Sequence, residues 1–534
     1  MKVDGFVIEN DVLTKYEGRK KSLVIPDGVV EIGDDAFYDC NTLTEVTIPD
    51  GVKRIGDHAF ADCDKLKSVN LPESVNEIGK EAFYGCYDLT SVIIPEGVTE
   101  IRQSTFASCY NLTSVTIPES LTTIGDMAFY GCGRLADLIL PKNISSIGLE
   151  AFHGNMFPSD ADGFKIFGHV LLEYTGSKAE VAIPDGVTVI GGSAFSARYR
   201  LRSVTIPQGT TIIGAGAFFD CKNLTTVTIS DTVKEIAKNA FDGCGAMASI
   251  TLPKSVTKIG AGAFKRCSGL TKVTVPEGIT VIEAETFSGC KKLTSITLPE
   301  RVNKLGEKAF YGCKSLSSIV LPEVSEIEYG TFEGCVSLSK IVIPDSVTKI
   351  AIEAFWGCSN LLSVLLPHRV SEIGETAFTE CRKLTNIEVA KGNENFTSVD
   401  GVVFDKTETT LLLFPCGREG KYGIPDTVKV IGSGVFNLCR KLTNIHIPNS
   451  VTQLESWAIA NCEGLTNLHI PNSVTTIGER AFSGCNKLIY VDIPDSVTSI
   501  GNWAFQGCHL TIRAPIGSYA IGYAKKENIK YEEI

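Results

Sequence analysis

LTEVTIPDGVKRIGDHAFADC, at residues 43–63, is the stretch that decides the fold, because close copies of it follow one another along most of the 534 residues. Its proline returns every 23 residues within three runs, with one interval of 22, and Ser230 and Ala390 stand where two prolines are missing. The repeating prolines are Pro26, Pro49, Pro72, Pro95, Pro118, Pro141, Pro184, Pro207, Pro253, Pro276, Pro299, Pro322, Pro344, Pro367, Pro425, Pro448, Pro471 and Pro494. A fixed period in the twenties is typical of a solenoid. The chain length alone, at roughly 150 residues per domain, would suggest three or four globular domains, and the period replaces that expectation.

Each unit is predicted to form two short strands and a tight turn. Val46 and Ile48 alternate with polar Thr47, as expected of a half-buried strand, and Pro49 ends that strand because it has no N–H for the ladder. Residues 52–55 give a second, shorter apolar pair. The Ala-Phe-x-x-Cys segment suits one turn of α-helix or 3₁₀-helix that directs Phe and Cys inward. About twenty such coils predict a strand-rich α/β repeat solenoid, a superhelix with three β-hairpin inserts.

Three segments interrupt the period, and each begins with Asp-Gly: residues 4–8, 162–166 and 400–404. Apolar stretches separated by turn residues follow them, so each is predicted to be a β-hairpin that opens a new array. The predicted organisation is an N-terminal hairpin cap (1–25), a first repeat array (26–157), a hairpin insert (158–183), a second array (184–396), a second insert (397–424), a third array (425–512) and a C-terminal cap (513–534).

Composition and charge exclude several classes of partner. The chain holds 50 Lys and Arg against 62 Asp and Glu, a net charge of −12, which argues against nucleic acid and against anionic membrane surfaces. No run approaches the roughly 20 apolar residues that span a bilayer. Residues 1–5 lack the pattern of a signal peptide. As it stands the chain is expected in the cytoplasm, or at the cell surface or secreted if a leader has been removed.

The repeated unit L-x-x-V-x-I-P-x-x-V-x-x-I-G-x-x-A-F-x-x-C resembles the BspA-type leucine-rich repeat, over nearly the whole chain. This resemblance implies a curved solenoid. It also implies a surface protein of the kind found in gut or oral bacteria and parasitic protists, where family members adhere to host matrix or to other cells. The partner that it implies is a protein, such as a host matrix or cell-surface protein.

Cysteine is the most conspicuous residue type, and 17 of the 18 cysteines occupy the inward position after Ala-Phe. Disulfide frameworks belong to small secreted domains, and metal sites need close Cys pairs, so a structural ladder of buried thiols is predicted instead. So many thiols favour a reducing compartment. The ladder comprises Cys40, Cys63, Cys86, Cys109, Cys132, Cys221, Cys244, Cys267, Cys290, Cys313, Cys335, Cys358, Cys381, Cys439, Cys462, Cys485 and Cys508, and only Cys416 is out of register.

The exposed strand position two residues before the repeat's proline is usually Thr, as at Thr47, and Thr suits a solvated sheet face. Val320, Val342 and Leu365 replace it in three consecutive units, with Leu362 nearby. The hypothesis is an apolar stripe that binds a partner, and the alternative is a drift in β-propensity without function.

His446, His469 and Asp492 occupy the same position in three later consecutive units. Stacking at about 5 Å brings them together, so a metal site or a pH-sensitive contact is one hypothesis and a solvated polar row is the other. No motif for a hydrolase, a phosphate-binding loop or a calcium loop is present, and no cofactor is expected.

The favoured function is therefore non-enzymatic protein recognition or adhesion by a solenoid that binds through its exposed strands. The alternative is an intracellular interaction scaffold without an adhesive role. A third and remote option is an enzyme with its site in the hairpin inserts. The oligomeric state is left open by the sequence.

Overall fold

The structure, a computed structural model, describes residues 2–155 and 157–534 and divides into two compact units. The N-terminal unit comprises the described residues up to 247 together with 251–264, and the C-terminal unit comprises 248–250 and 265–534. Within each unit, repeats of about 23 residues add short strands to parallel sheets. The strand-rich repeat solenoid predicted from the period is confirmed.

In most repeats a first strand pairs in parallel with its neighbours at an offset of one repeat, whereas Ser249, Val320 and Val342 form isolated bridges instead. Val46 lies opposite Val69, and Val92 lies opposite Val115. In the N-terminal unit these strands are Ser22–Val24, Glu45–Thr47, Ser68–Asn70, Ser91–Ile93, Ser114–Thr116, Asp137–Leu138, Glu180–Ala182, Ser203–Thr205 and Thr226–Thr228. In the C-terminal unit they are Lys272–Thr274, Ser295–Thr297, Ser363–Leu366, Asn386–Val389, Gly420–Gly423, Leu442–His446, Asn467–His469, Tyr490–Asp492, Thr511–Ala514 and Lys530–Glu533.

The second strand of a repeat has two residues and in most repeats buries only the second of them, as Ile55 and Ile78 show where they face each other. In the N-terminal unit these strands are Glu31–Ile32, Arg54–Ile55, Glu77–Ile78, Glu100–Ile101, Thr123–Ile124, Ser146–Ile147, Val189–Ile190, Ile212–Ile213, Glu235–Ile236 and Lys258–Ile259. In the C-terminal unit they are Val281–Ile282, Lys304–Leu305, Glu326–Ile327, Lys349–Ile350, Glu372–Ile373, Val430–Ile431, Gln453–Leu454, Thr476–Ile477 and Ser499–Ile500.

Antiparallel strands occur in the three segments where the period breaks: Lys2–Val3, Phe6–Glu9 and Val12–Tyr16; Phe164–Phe167 and Val170–Tyr174; and Phe396–Val399, Val402–Asp405 and Thr410–Leu413. The last strand of each group pairs in parallel with the second strand of the following repeat. Leu13 faces Ile32 in this way, and Leu171 faces Ile190. Each antiparallel group thus supplies the neighbour that a first repeat would otherwise lack.

The core of each unit contains columns of stacked phenylalanines. Phe60 and Phe83 lie 5.3 Å apart with their planes within 2°, and Phe332 and Phe355 lie 5.4 Å apart. Tyr16 precedes the first column, 5.4 Å from Phe37. Burial of each ring contributes about 2–3 kcal/mol, so the stability of each unit is a sum of terms between neighbouring repeats.

The Ala-Phe segment differs from the sequence expectation. It is not a turn of α-helix or 3₁₀-helix but two consecutive turns, because the residue before Ala and the second residue after Phe have positive φ, as at Asp35 and Asp39. Left-handed residues interrupt helical geometry. The segment also hydrogen-bonds to the next repeat: the N–H of Phe37 donates to the carbonyl oxygen of Ala59 at 2.7 Å.

One helix, Tyr519–Lys526, is found in the part of the chain that the structure describes. It buries Ala520, Ile521, Tyr523 and Ala524, and the hydroxyl of Tyr523 accepts a hydrogen bond from the N–H of Ala504 at 3.1 Å. Among the described residues, no helix has the length and apolar character to cross a bilayer.

Candidate functional site on the strand face

The strand face is the side of the first strands that points away from the core. Ile319 and Leu321 are buried, whereas Val320 between them is 87% exposed. The same alternation holds in residues 364–366, where the central leucine is exposed and its neighbours are buried. Side chains at this position are therefore displayed to solvent.

Val320, Val342, Leu362 and Leu365 lie on three consecutive repeats of this face, and we name them the apolar strip. Val320 and Val342 face each other in a parallel bridge. The N–H of Leu362 donates to the carbonyl oxygen of Ser339 at 3.3 Å, which stacks the third repeat on the second. More than half of each of these four side chains is exposed. The structure thus brings the predicted stripe residues onto neighbouring repeats.

Polar residues bound the apolar strip. Glu388 lies opposite Leu365 in the following repeat, and Thr297 holds the corresponding position in the preceding one. Two residues earlier in the repeats of the apolar strip, Ser318, Lys340 and Ser363 are exposed. An apolar centre with a polar rim is the composition of a protein-binding patch.

The predicted row of His446, His469 and Asp492 is assembled only in part. His469 and Asp492 face each other on paired strands, and both histidines are exposed. The Asp492 carboxylate, however, accepts a hydrogen bond from Nε of Arg513 at 2.6 Å. No group of three His, Cys, Asp or Glu side chains within residues 2–155 and 157–534 is arranged to hold a metal ion. The carboxylate of this row is thus paired with an arginine, and the metal hypothesis for the row stays a prediction.

All eighteen cysteines lie within the described residues and are thiols. Sixteen are buried, and Cys40 and Cys508 are half-buried. Many donate to the phenylalanine carbonyl of the preceding repeat, as Cys109 does to Phe83 at 3.2 Å. Burial raises the pKa of Cys132 and of Cys313 to about 12. These thiols stay protonated at neutral pH, so the geometry suits packing rather than nucleophilic chemistry.

A sequence profile of the BspA type leucine rich repeat region matches residues 22–157, 165–294, 280–410 and 416–523. The chain belongs to this family. None of the curated proteins matches it. A leucine rich cell surface protein from Faecalibacterium prausnitzii A2-165 is similar, with 31% identity over 55% of this chain and 92% of that one, and a TM-score of 0.31. A leucine-rich repeat protein from Bacteroides ovatus is 22% identical over 100% and 97%, with a TM-score of 0.26. The pneumococcal vaccine antigen PcpA is 20% identical over 71% and 98%, with a TM-score of 0.32.

Other BspA-type repeats in this chain also display aliphatic residues at the strip position. Val24, Ile93 and Ile139 are strongly exposed there, and the sequence interpretation did not single them out. Polar residues separate them: Val24 lies opposite Thr47, and Ile93 lies opposite Thr116. The apolar strip differs from these isolated side chains because its members lie on consecutive repeats. A comparison of every repeat at this one position would have shown the difference.

A second group on the BspA-type repeats was missed as well. Trp457, Arg480 and Trp503 occupy one position, the residue before Ala-Phe or its equivalent, in three consecutive repeats. All three have positive φ, which costs about 1–2 kcal/mol per residue. The guanidinium carbon of Arg480 lies 4.9 Å from each of the two Trp rings. The available signal was the recurrence of Trp, a residue that occurs three times in the chain, at a spacing of two repeats.

Proposed function

We propose that this chain is a non-enzymatic recognition protein that binds a protein partner through the apolar strip. The observation that carries the proposal is the contiguity of four exposed aliphatic side chains on three consecutive repeats. Their burial against a partner is favourable by about 25 cal/mol per Å² of apolar surface removed from water. Membership of the leucine-rich repeat family supports protein binding.

The partner that we propose is a protein of the host matrix or of another cell's surface, so that the function is adhesion. The test is binding of the purified chain to immobilised matrix proteins and to fixed host cells. Val342→Asp combined with Leu365→Asp places two carboxylates on the apolar strip and is expected to weaken binding at least tenfold. Thr205→Asp combined with Thr228→Asp makes the same change on paired strands outside the apolar strip and its polar rim and is the matched control.

The eighteen thiols favour a second candidate, an intracellular interaction scaffold that uses the same face. The two candidates differ in location. Labelling of intact producing cells with a membrane-impermeant reagent distinguishes them, with a known surface protein and a known cytosolic protein as controls. Labelling of this chain supports adhesion. Protection of the chain until the cells are lysed supports the scaffold.

A further inference from the structure

Trp457, Arg480 and Trp503, which we name the indole–guanidinium group, differ from the residues at the same position of the other repeats. In most other repeats this position holds Asp, Ser, Asn, Glu, Lys or Gly. These side chains are small, flexible or solvated, and the backbone is left-handed at this position. Here it holds Trp457, Arg480 and Trp503 side by side, and Trp503 is 47% exposed. Most repeats share this backbone conformation, so the feature that distinguishes the group is the pair of indoles beside a guanidinium.

Arg480 is held between the two rings but makes few polar contacts. Each face of its guanidinium is covered by an indole at 4.9 Å. Its Nε is buried and has no hydrogen-bond partner among the described residues, and its nearest carboxylate, Glu479, is 3.8 Å away. A guanidinium stacked between rings keeps its N–H donors in its own plane, and two neighbouring donors match the two oxygens of a carboxylate. About a third of the Arg480 side chain is open to solvent.

A cavity adjoins the same group. Trp503, which covers one face of Arg480, also lines a cavity of about 770 Å³. The other lining residues include Gln506, His509, Asn528 and Lys530, whose side chains donate hydrogen bonds. An aromatic wall with several convergent polar groups is the composition of a small-molecule site.

We propose that Trp457, Arg480 and Trp503 bind the carboxylate of an acidic sugar, a uronic or sialic acid. The carboxylate pairs with in-plane donors of Arg480, and the sugar ring extends from there past the edge of Trp503 into the adjoining cavity, where its hydroxyl groups accept hydrogen bonds. A single negative charge suits the site better than a dianion, because Glu479 lies close to Nε. This site lies on different repeats from the apolar strip and goes beyond the proposed protein recognition.

The test uses intrinsic tryptophan fluorescence of the full chain. Trp356→Phe removes the one indole outside the site, so that the remaining emission comes from Trp457 and Trp503. Glucuronic acid and N-acetylneuraminic acid are titrated, with glucose and an acetylated diglutamate peptide as comparison ligands. Saturable changes with the two acidic sugars, and none with glucose or the peptide, are expected.

Two variants separate binding from folding. Arg480→Lys keeps the charge but loses the planar edge, and it is expected to weaken binding of the acidic sugars at least tenfold with an unchanged melting temperature. Arg513→Lys is the matched control, because Arg513 also lies over an aromatic ring, Tyr490, but is paired with Asp492. It is expected to bind as the parent does.

Three results would overturn the proposal. The first is no saturable change with either acidic sugar. The second is equal binding of glucose, which would show that the site does not recognise the carboxylate of the sugar. The third is equal or tighter binding of the diglutamate peptide, which would assign the site to a peptide instead. None of these outcomes bears on the apolar strip, so failure here is distinguishable from failure of the proposed protein recognition.

Discussion

The rings of Phe218 and Phe241 are stacked in the core of the N-terminal unit, 5.2 Å apart and with their planes within 1°. Phe195 stacks on the other side of Phe218 at 4.9 Å. Phe218 therefore contacts a ring of the repeat before it and a ring of the repeat after it. This relationship explains how repeats that could not fold alone stabilise one another.

Removal of one ring is expected to be costly. Phe218→Ala should lower the free energy of unfolding by about 3–5 kcal/mol, because the ring is fully buried and its loss leaves a cavity against two neighbours. Chemical denaturation measures the change. Ile93→Ala, an exposed aliphatic position in the same unit, is the control and should change stability by less than about 0.5 kcal/mol. Similar effects of the two substitutions would contradict the stacked core.

The thiols make stability depend on alkaline pH. In the unfolded chain a thiol ionises near pH 8.5, whereas burial raises the pKa of Cys313 to about 12 in the folded chain. The unfolded state therefore releases protons first as the pH rises. The stabilisation is complete below about pH 8.5 and declines from there towards pH 12.

A single thiol can be isolated by comparing Cys313→Ala with the parent. The destabilisation caused by the substitution should be largest at pH 7.5 and about 2 kcal/mol smaller at pH 10, since the parent alone still carries this ionisable group. Urea denaturation of both proteins under reducing conditions at the two pH values gives the difference. A destabilisation that is the same at both pH values would show that this thiol is not buried in the folded chain.

The left-handed position before Ala-Phe predicts which substitutions the repeats tolerate. Asn239 has φ 56° there, a conformation that Asn and Gly adopt readily and β-branched residues do not. Asn239→Val should lower the melting temperature, at a cost of about 1–2 kcal/mol. Asn239→Gly should be neutral within about 1 kcal/mol. Equal melting temperatures for the two variants would mean that the backbone at this position is not left-handed.

Most of the fold could be predicted because the same pattern of apolar residues, proline and Ala-Phe recurs every 23 residues. Alternation around Val46 and Ile48 and the terminating Pro49 were enough to place the first strand. The Ala-Phe turn could not be predicted in the same way. Its geometry depends on left-handed residues such as Asp35 and Asp39, and residue types as different as Asp, Lys and Trp occupy that conformation.

The candidate sites were predictable only where they follow the period. Stacking at an offset of one repeat places Val320 beside Val342, as the sequence indicates. The partner of Asp492 was missed because Arg513 is 21 residues away, in a shortened repeat, and the 23-residue register does not align the two. The Arg480 group was missed because its position lies between the consensus residues of the repeat.

The most direct test of recognition through the strand face is site-specific photocrosslinking to the matrix or cell-surface protein identified in the binding experiment. A photoreactive amino acid replaces Val342 in one protein and Thr274 in another, so that both probes are exposed at the same position of a repeat. The proposed function predicts an efficient crosslink from position 342 that excess unlabelled chain abolishes, and little crosslinking from position 274. Crosslinking from position 274 that equals or exceeds that from position 342 would contradict binding through the apolar strip.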